Sequence, residues 1–329
     1  MSEIKTVLLT GATGFVGTRL HAVLEAAGFQ VIGATRHPER AKQRFPERTY
    51  RYLDTNDRAS VRQSMVGCDA AVYLIHSMAD AKDYDKVEDH SATRFAEAAA
   101  ESQLARIVYL GGIRPAGKPS RHLKSRLHTG EVLRAGKVPT IELQASMVIG
   151  AGSESFRMVR DLSSRLPVML LPTWLKTRTE PIAVDDVTAA ITHALQLPNV
   201  TSGAYALPGP EILTCRQILE QTATLLGLQP RMWGLPFVTP RLSRFWVTLI
   251  TRADKHVARE LVEGLGSDLV ADDLGFWRLF PEHQRLSFQE ALSRALPEEE
   301  RGLSVRARMV EDLLHRVTPN SDKLPQTHP

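Results

Sequence analysis

The chain has 329 residues, 43% apolar and 24% charged, with 41 Lys and Arg against 37 Asp and Glu for a formal balance of +4. That is apolar material for one large α/β domain, or a domain with a smaller appendage, and it excludes a disordered or collagen-like chain. The near-even charge gives no support for a nucleic-acid partner, and the two cysteines, Cys68 and Cys215, are too few for a disulfide framework or a zinc site, which points to a reducing compartment.

Met1 to Lys5 runs straight into an apolar strand pattern, without the charged start, apolar stretch and small-residue cleavage site of an export signal. Predicted strands then follow at regular intervals: Thr6 to Thr10, Gln30 to Thr35, Thr49 to Leu53, Ala70 to Ile75, Arg106 to Leu110 and Thr140 to Leu143. Between them lie helical patterns at Gly14 to Ala27, Asp57 to Val66, Asp85 to Glu101 and Ser120 to Ala135. Such alternation predicts an α/β protein of the Rossmann type, a doubly wound parallel sheet with helices on both faces.

From about Gly152 the rhythm changes, with helical patterns at Ser153 to Ser164 and Asp185 to Leu195, a Pro-punctuated stretch between them, and one more strand or two from Ala204 to Leu207. Residues 1–151 are thus expected to form the dinucleotide-binding domain and residues 152–317 a smaller, mainly helical C-terminal lobe on the substrate side, sending strands back to the sheet. Residues 318–329 read as a loose tail. The apolar stretch Trp233 to Ile250 is broken by Pro236, Pro240, Arg241 and Arg244, unlike a membrane span, so a soluble, cytoplasmic protein is expected. Its stripe Trp233, Phe237, Phe245 and Trp246 reads as lobe packing that could also line an apolar pocket.

Chemistry enters at Thr10-Gly11-Ala12-Thr13-Gly14-Phe15-Val16-Gly17, three glycines three residues apart between a strand and a helix. Gly11 permits the tight turn, Gly14 lets backbone approach a diphosphate, and Gly17 lets the helix pack near the strand, while the helix N-terminus offers free N–H groups. Gly11, Thr13, Gly14, Phe15, Val16 and Gly17 are therefore expected to hold a dinucleotide. At the end of the second strand, where an NAD site carries a carboxylate toward the ribose, the chain reads Ala34-Thr35-Arg36-His37. Arg36, with Arg40 one turn on, suits a 2′-phosphate, so NADP(H) is the expected cofactor; the other reading leaves Arg36 as a solvated surface residue.

TGATGFVG at the first turn, Leu53-Asp54, Tyr73-Leu74-Ile75-His76-Ser77-Met78, Tyr109-Leu110-Gly111-Gly112 and Pro181-Ile182-Ala183-Val184-Asp185-Asp186-Val187 resemble the extended short-chain dehydrogenase/reductase superfamily, in its atypical NmrA-like branch. Tyr73 to Met78 and Lys176 to Ile182 are similar to bacterial NAD(P)-binding proteins of that branch, related also to a nucleotide-binding accessory subunit of respiratory complex I. The resemblance spans roughly Ile4 to Gly227. It implies that Asp54 approaches the adenine and that Ile75, His76, Ser77 and Gly111 lie along the cofactor.

The superfamily's proton donor is a Tyr with a Lys four residues later, aided by a Ser at the end of the fifth strand. Among Tyr50, Tyr52, Tyr73, Tyr84, Tyr109 and Tyr205 none has that Lys, and Gly111-Gly112 stand at the Ser position. The helix after the fifth strand instead reads His122-Leu123-Lys124-Ser125-Arg126. His122 is a candidate acid, since an imidazole of pKa about 6.5 donates at neutral pH and Arg126 one turn away would depress it and orient a polar substrate. Equally, both are polar residues on an exposed helix face. His76, at the switch-point crevice, is the second candidate acid, or a packed histidine that shapes the cofactor pocket.

Arg114 to Lys137 holds seven Lys or Arg against Glu131 alone, either a field that draws an anionic substrate or a solvated helix face. Asp185-Asp186 read as a helix cap, and no metal site is expected. The expected function is an NADP(H)-dependent oxidoreductase passing hydride to a small carbonyl, quinone or activated alkene, with a small apolar or anionic substrate as partner, in a monomer or homodimer. The alternative is a non-catalytic NADP(H)-binding redox sensor or assembly factor. A nucleotide-sugar epimerase or dehydratase ranks last, because it ordinarily depends on the missing Tyr.

Overall fold

The computed structural model describes residues 3–75, 84–165, 168–171, 176–199, 201–229, 231–234 and 267–302. The first half alternates β1 (Thr6–Thr10), α1 (Phe15–Ala26), β2 (Gln30–Thr35), α2 (Pro38–Arg44), β3 (Thr49–Tyr52), α3 (Arg58–Ser64), β4 (Ala70–Tyr73), α4 (Tyr84–Glu101), β5 (Arg106–Gly112), α5 (Arg121–Ala135) and β6 (Thr140–Ala145). Then come β7 (Val148–Ile149), α6 (Glu154–Arg165), β8 (Val168–Leu171), β9 (Arg178–Thr179), β10 (Ile182–Ala183), α7 (Val184–Gln196), β11 (Gly203–Ala206), β12 (Leu213–Thr214), α8 (Cys215–Leu225), β13 (Arg231–Gly234), a 3-10 turn (Gly275–Leu279) and α9 (Phe288–Gly302).

Seven strands form one parallel sheet in the order β11-β6-β5-β4-β1-β2-β3. The alternation of side chains along β1 explains its two covered faces. Val7 and Leu9 join one apolar cluster with Leu20 and Leu24 of α1 and Val187 and Ile191 of α7, while Leu8 joins the opposite one with Val61 of α3, Phe95 of α4 and Leu133 of α5. Each fully buried aliphatic of this kind contributes roughly 1.5–3 kcal/mol. Strand order reverses beside β1, whose neighbours are β2 and β4, and the crossovers diverge there to opposite faces and leave a crevice at the carboxyl ends.

The later chain completes this sheet and roofs its carboxyl edge. Strand β11 extends it beyond β6, and Arg106 at the start of β5 is buried, donating to the Ala194 and Leu197 carbonyls (2.6 and 2.5 Å) where α7 ends. A guanidinium there satisfies carbonyls that the helix leaves open. A third apolar cluster joins Phe156 of α6, Ile218 and Leu219 of α8, and Phe288 and Leu292 of α9. Helix α8 opens on a reciprocal cap, in which Gln217 N donates to Thr214 Oγ1 and Thr214 N to Gln217 Oε1.

One helix is added to those expected from the sequence, and one expectation is corrected. A helix forms at Pro38–Arg44 that apolar periodicity does not reveal, because only Ala41 of it is buried; Pro38 at its start supplies the helical φ. Asp185 does not cap: α7 begins at Val184 after Ala183, so Asp185 sits inside the first turn and pairs with Arg294 (2.8 Å). Asp186 is buried and accepts from His283 Nε2 (2.8 Å) and Leu286 N (3.1 Å), its carboxyl raised by burial against those bonds. Among the described residues no helix is long and apolar enough to cross a membrane, and no group of His, Cys, Asp and Glu could hold a metal. Phe237, Phe245 and Trp246 of the aromatic stripe and the expected tail lie outside the described residues.

Candidate functional site

The glycine turn has the geometry that its spacing predicts. Gly11 takes a φ of +62°, and a Cβ there would stand 3.0 Å from the Leu74 carbonyl oxygen. At Gly17 a Cβ would come within 2.2 Å of the Gly11 carbonyl oxygen, so only glycine lets α1 start this close to β1. Gly14 N closes the turn on Gly11 O (3.0 Å), and Gly14 is the N-cap without any side-chain cap. Among the described residues no side chain caps this end, and its first-turn amides are open to an anion.

A cavity of about 380 Å³ opens from this turn. It runs past Leu74 and Ile75 after β4, along the end of β5 and the first turns of α5, to the β6–β7 corner, the start of α6, and Thr179 and Leu269 at the far end. Gly11, Gly14, Phe15, Val16, Gly17, Ile75, Gly111, His122 and Arg126 all line it. Thr13 is exposed beside the turn. Arg36 follows β2 and Arg40 lies in α2, both exposed and outside the cavity lining. Asp54 stands just past β3, next to β2 through Leu53 N and Thr35 O (3.0 Å), and its Oδ1 accepts from Asn56 N (2.9 Å). His76 and Ser77 lie outside the described residues.

Tyr109 has a role that no spacing rule reveals. It lines the cavity, yet it is buried, and burial pushes its phenol well above the usual tyrosine range; Tyr73 behind it shifts the same way for the same reason. Neither is a low-pKa phenol that could stand in for the missing Tyr–Lys pair. Tyr109 Oη instead donates to the Arg126 carbonyl (3.0 Å), and Arg126 Nη2 donates to the Leu110 carbonyl (2.8 Å), tying α5 to the end of β5. Arg126 Nε is buried and has no hydrogen-bond partner among the described residues. A Cβ at Gly112 would sit 3.6 Å from that nitrogen.

A buried carboxylate accounts for the glycine at the Ser position. Glu142 of β6 accepts from Arg134 Nε (2.8 Å) and Gln144 Nε2 (3.0 Å), and burial raises its carboxyl against the pull of both. A Cβ at Gly111 would be 2.8 Å from Glu142 Oε1, and one at Gly130 2.3 Å from Oε2. Both glycines make room for this anion. Arg134 is thereby engaged, and Arg114 pairs with Glu131 (3.3 Å), so the basic segment carries less free charge than its composition indicates.

The opposite lip of the cavity is held by residues far away in sequence. The Phe15 ring packs against Gly150, where a Cβ would meet it at 3.0 Å. Glu299 of α9 is buried and accepts from Gly152 N (2.5 Å) and Arg157 Nε (2.7 Å). Glu298 pairs with Arg19 of α1 (2.5 Å). At the far end Ser146 Oγ donates to the Glu180 carbonyl (2.5 Å), and Thr179 is 3% exposed, its hydroxyl without a partner among the described residues. The Met147 and Met158 side chains belong to the same lining, without a motif that marks them.

Residues 11–142, from the glycine turn to Glu142, match the family model described as NAD(P)H-binding. The match runs from the first glycine turn into β6 and covers less than half of the chain. The chain is also 22% identical over 289 residues to the mitochondrial NADH dehydrogenase (ubiquinone) 1 alpha subcomplex subunit 9 of Rattus norvegicus, covering 83% of this chain and 75% of that protein. The Mus musculus subunit is 22% identical over 257 residues, 75% of this chain and 67% of its own length.

Solved structures share the fold. Triphenylmethane reductase of Citrobacter sp. complexed with NADP(H) superposes with a TM-score of 0.68 at 14% identity, over 88% of this chain and 99% of that one. NADPH-dependent quinone oxidoreductase QOR2 of Escherichia coli complexed with NADPH gives 0.69 at 16% identity, over 88% and 99%. A nucleoside-diphosphate-sugar epimerase of Staphylococcus aureus gives 0.69 at 16%, over 87% and 99%. The resemblance read from the sequence is borne out by the NAD(P)H-binding match over residues 11–142, and these reductases and epimerases share the fold.

Proposed function

We propose that the chain binds NADP(H) across the start of α1 and reduces a small carbonyl compound, quinone or activated alkene at the far end of the same cleft. One observation carries the reading: a single cavity joins the uncapped α1 N-terminus to His122 and Arg126 over the ends of β4 and β5. When bound, the nicotinamide supplies the hydride. The protein's own part is to orient and to shield. The Gly14 to Gly17 amides and helix end receive the diphosphate, and Arg36 and Arg40 grip the 2′-phosphate, with Asp54 beside the adenine. Thr13, Ile75 and Gly111 flank the dinucleotide. Phe15 and the Gly150–Gly152 lip close over it and exclude water.

At the substrate end His122 gives the proton to the reduced oxygen or carbon, with His76 in reserve, and Arg126 fixes the acceptor and steadies negative charge that develops on it. Quinones and activated alkenes suit such a site because they need less help from a strong acid than ketones do. The test is NADPH oxidation by purified protein against a panel of quinones, enones and aldehydes, with His122→Ala and His76→Ala beside the wild type. Turnover that falls at least tenfold in one of the two variants supports the reading.

The second reading, a non-catalytic NADP(H)-binding sensor or assembly factor, is favoured by the similarity to a respiratory-complex subunit and by the lost Tyr–Lys pair. Tight NADPH binding without turnover on the whole panel selects it.

A further inference from the structure

One short segment closes the far end of the cleft and is held there lightly. Residues 267–271 run beside β9 as an outer strand, through the bridge of Leu269 to Thr179 and the bond from Leu269 N to the Arg178 carbonyl (2.8 Å), and Leu269 and Thr179 both line the cavity. Ala116 N donates to the Asp268 carbonyl (3.2 Å), and Ala271 N to the buried Glu180 carboxylate (2.7 Å). The Asp268 carboxylate accepts from Arg178 N (2.8 Å), Nε (2.9 Å) and Nη2 (2.7 Å). Water competes for that ion pair, because the Arg178 and Asp268 side chains are 56% and 27% exposed. All of residues 267–271 are half-buried, and none of them belongs to the three apolar clusters.

The chain that follows is anchored differently. After Asp272, Asp273 and Leu274, all exposed, Gly275 takes a φ of +52° and lies so close to β11 that a Cβ would stand 2.0 Å from the Ala206 carbonyl oxygen. Phe276 is fully buried, and Trp277 donates from Nε1 to the Pro208 carbonyl (2.8 Å). A segment with few buried apolar contacts beside a firmly packed one opens at a lower free energy than the whole fold, and the exposed residues between them absorb the change in backbone angles. Glu180 favours that opening. Burial raises its carboxyl in the closed form, and water takes the place of the Ala271 amide when the segment lifts.

We propose that residues 267–271 are a strap that swings on residues 272–274 to admit the hydride acceptor to the far end of the cleft, with Asp268 on Arg178 as its latch. The dinucleotide end, framed by α1 and α9, keeps its shape meanwhile. The inference deepens the reductase reading of the cleft and rests on it for what is admitted; the opening itself does not depend on that reading.

Hydrogen exchange, together with a reversible lock, tests it. A Cβ on Gly117 would lie 3.5 Å from Ser267 Cβ, within the spacing of about 3.5–4.5 Å that a disulfide spans, so Gly117→Cys with Ser267→Cys staples the strap shut. Cys68 and Cys215 are buried and do not compete. In the wild type the bonded amides of Leu269 and Ala271 are expected to exchange at least about a hundredfold faster than the amide of Leu207, which is bonded to the Gln144 carbonyl in the core. Asp268→Ala speeds the two strap amides about three- to tenfold, and the oxidised staple slows them at least about tenfold. With NADPH and the panel of quinones, enones and aldehydes, the oxidised staple lowers kcat/KM at least about tenfold and keeps NADPH affinity within about twofold, and dithiothreitol restores the wild-type rate. Strap amides that exchange as slowly as Leu207, an Asp268→Ala variant that exchanges like wild type, or a stapled protein that turns the panel over like wild type overturns the proposal. Should the panel give no turnover with any form, the reductase reading fails, and the exchange rates alone decide whether the strap opens.

Discussion

The Arg19 guanidinium in α1 lies 2.5 Å from Glu298 of α9, while the adjoining Glu299 accepts from Gly152 N across the cleft mouth. One turn of the last described helix thus holds both lips of the cleft. The two carboxylates differ in environment: Glu298 is half-exposed, and Glu299 is buried with Arg157 and Arg160 around it. Glu298→Ala should therefore cost at most about 1 kcal/mol of stability. Glu299→Ala, which leaves Gly152 N without its acceptor while Arg157 keeps Glu154 and Arg160 keeps Asp161, should cost about 1–3 kcal/mol and weaken NADPH binding as the Gly152 lip loosens. Urea denaturation and fluorescence titration of both variants measure this contrast, and equal effects from the two would refute it.

Gly17→Ala is expected to abolish dinucleotide binding and to destabilise the fold, because its Cβ would fall 2.2 Å from the Gly11 carbonyl oxygen. Gly67→Ala serves as the control for positive-φ strain alone: Gly67 has a φ of +69° with nothing within 4 Å of its Cβ. It should lose stability but keep its NADPH affinity.

Arg36→Asp should invert the coenzyme preference. Losing one or two charge-assisted contacts to a 2′-phosphate costs about 1.5–3 kcal/mol, up to about a hundredfold in affinity, while NADH gains a ribose partner. Parallel titrations with NADPH and NADH measure the ratio, and an unchanged ratio would return Arg36 to the solvated surface.

His21 predicts a pH effect. It is fully buried in α1, and burial lowers its imidazole below the ordinary 6.5 despite the opposing pull of Glu25. The unfolded chain then binds the proton more readily than the folded one, so stability is complete above about pH 6.5 and is lost as pH falls toward the lowered folded value. Replacing His21 with Leu should flatten the slope of stability against pH in that window. Denaturation midpoints between pH 5 and 8 show whether it does.

The sheet was legible wherever a strand is buried on both faces, and β1 and β2 fall on Thr6–Thr10 and Gln30–Thr35 as the apolar runs predict. The glycine turn was legible for a related reason, since each glycine answers a local constraint within a few residues. Helix α2 was not, with Ala41 its only buried residue. Tyr109 and Glu142 were hidden because their roles depend on partners across strands and helices. Glu299 reaches Gly152 over a separation of 147 residues, which no local pattern encodes.

The central claim is that a dinucleotide lies across the N-terminus of α1. Calorimetric titration of ligand-stripped protein with NADPH and NADH tests it most directly. The expected result is saturable binding of both, with NADPH at least about tenfold tighter and both signals lost in Gly17→Ala. Absence of heat from either coenzyme with folded wild-type protein would contradict it.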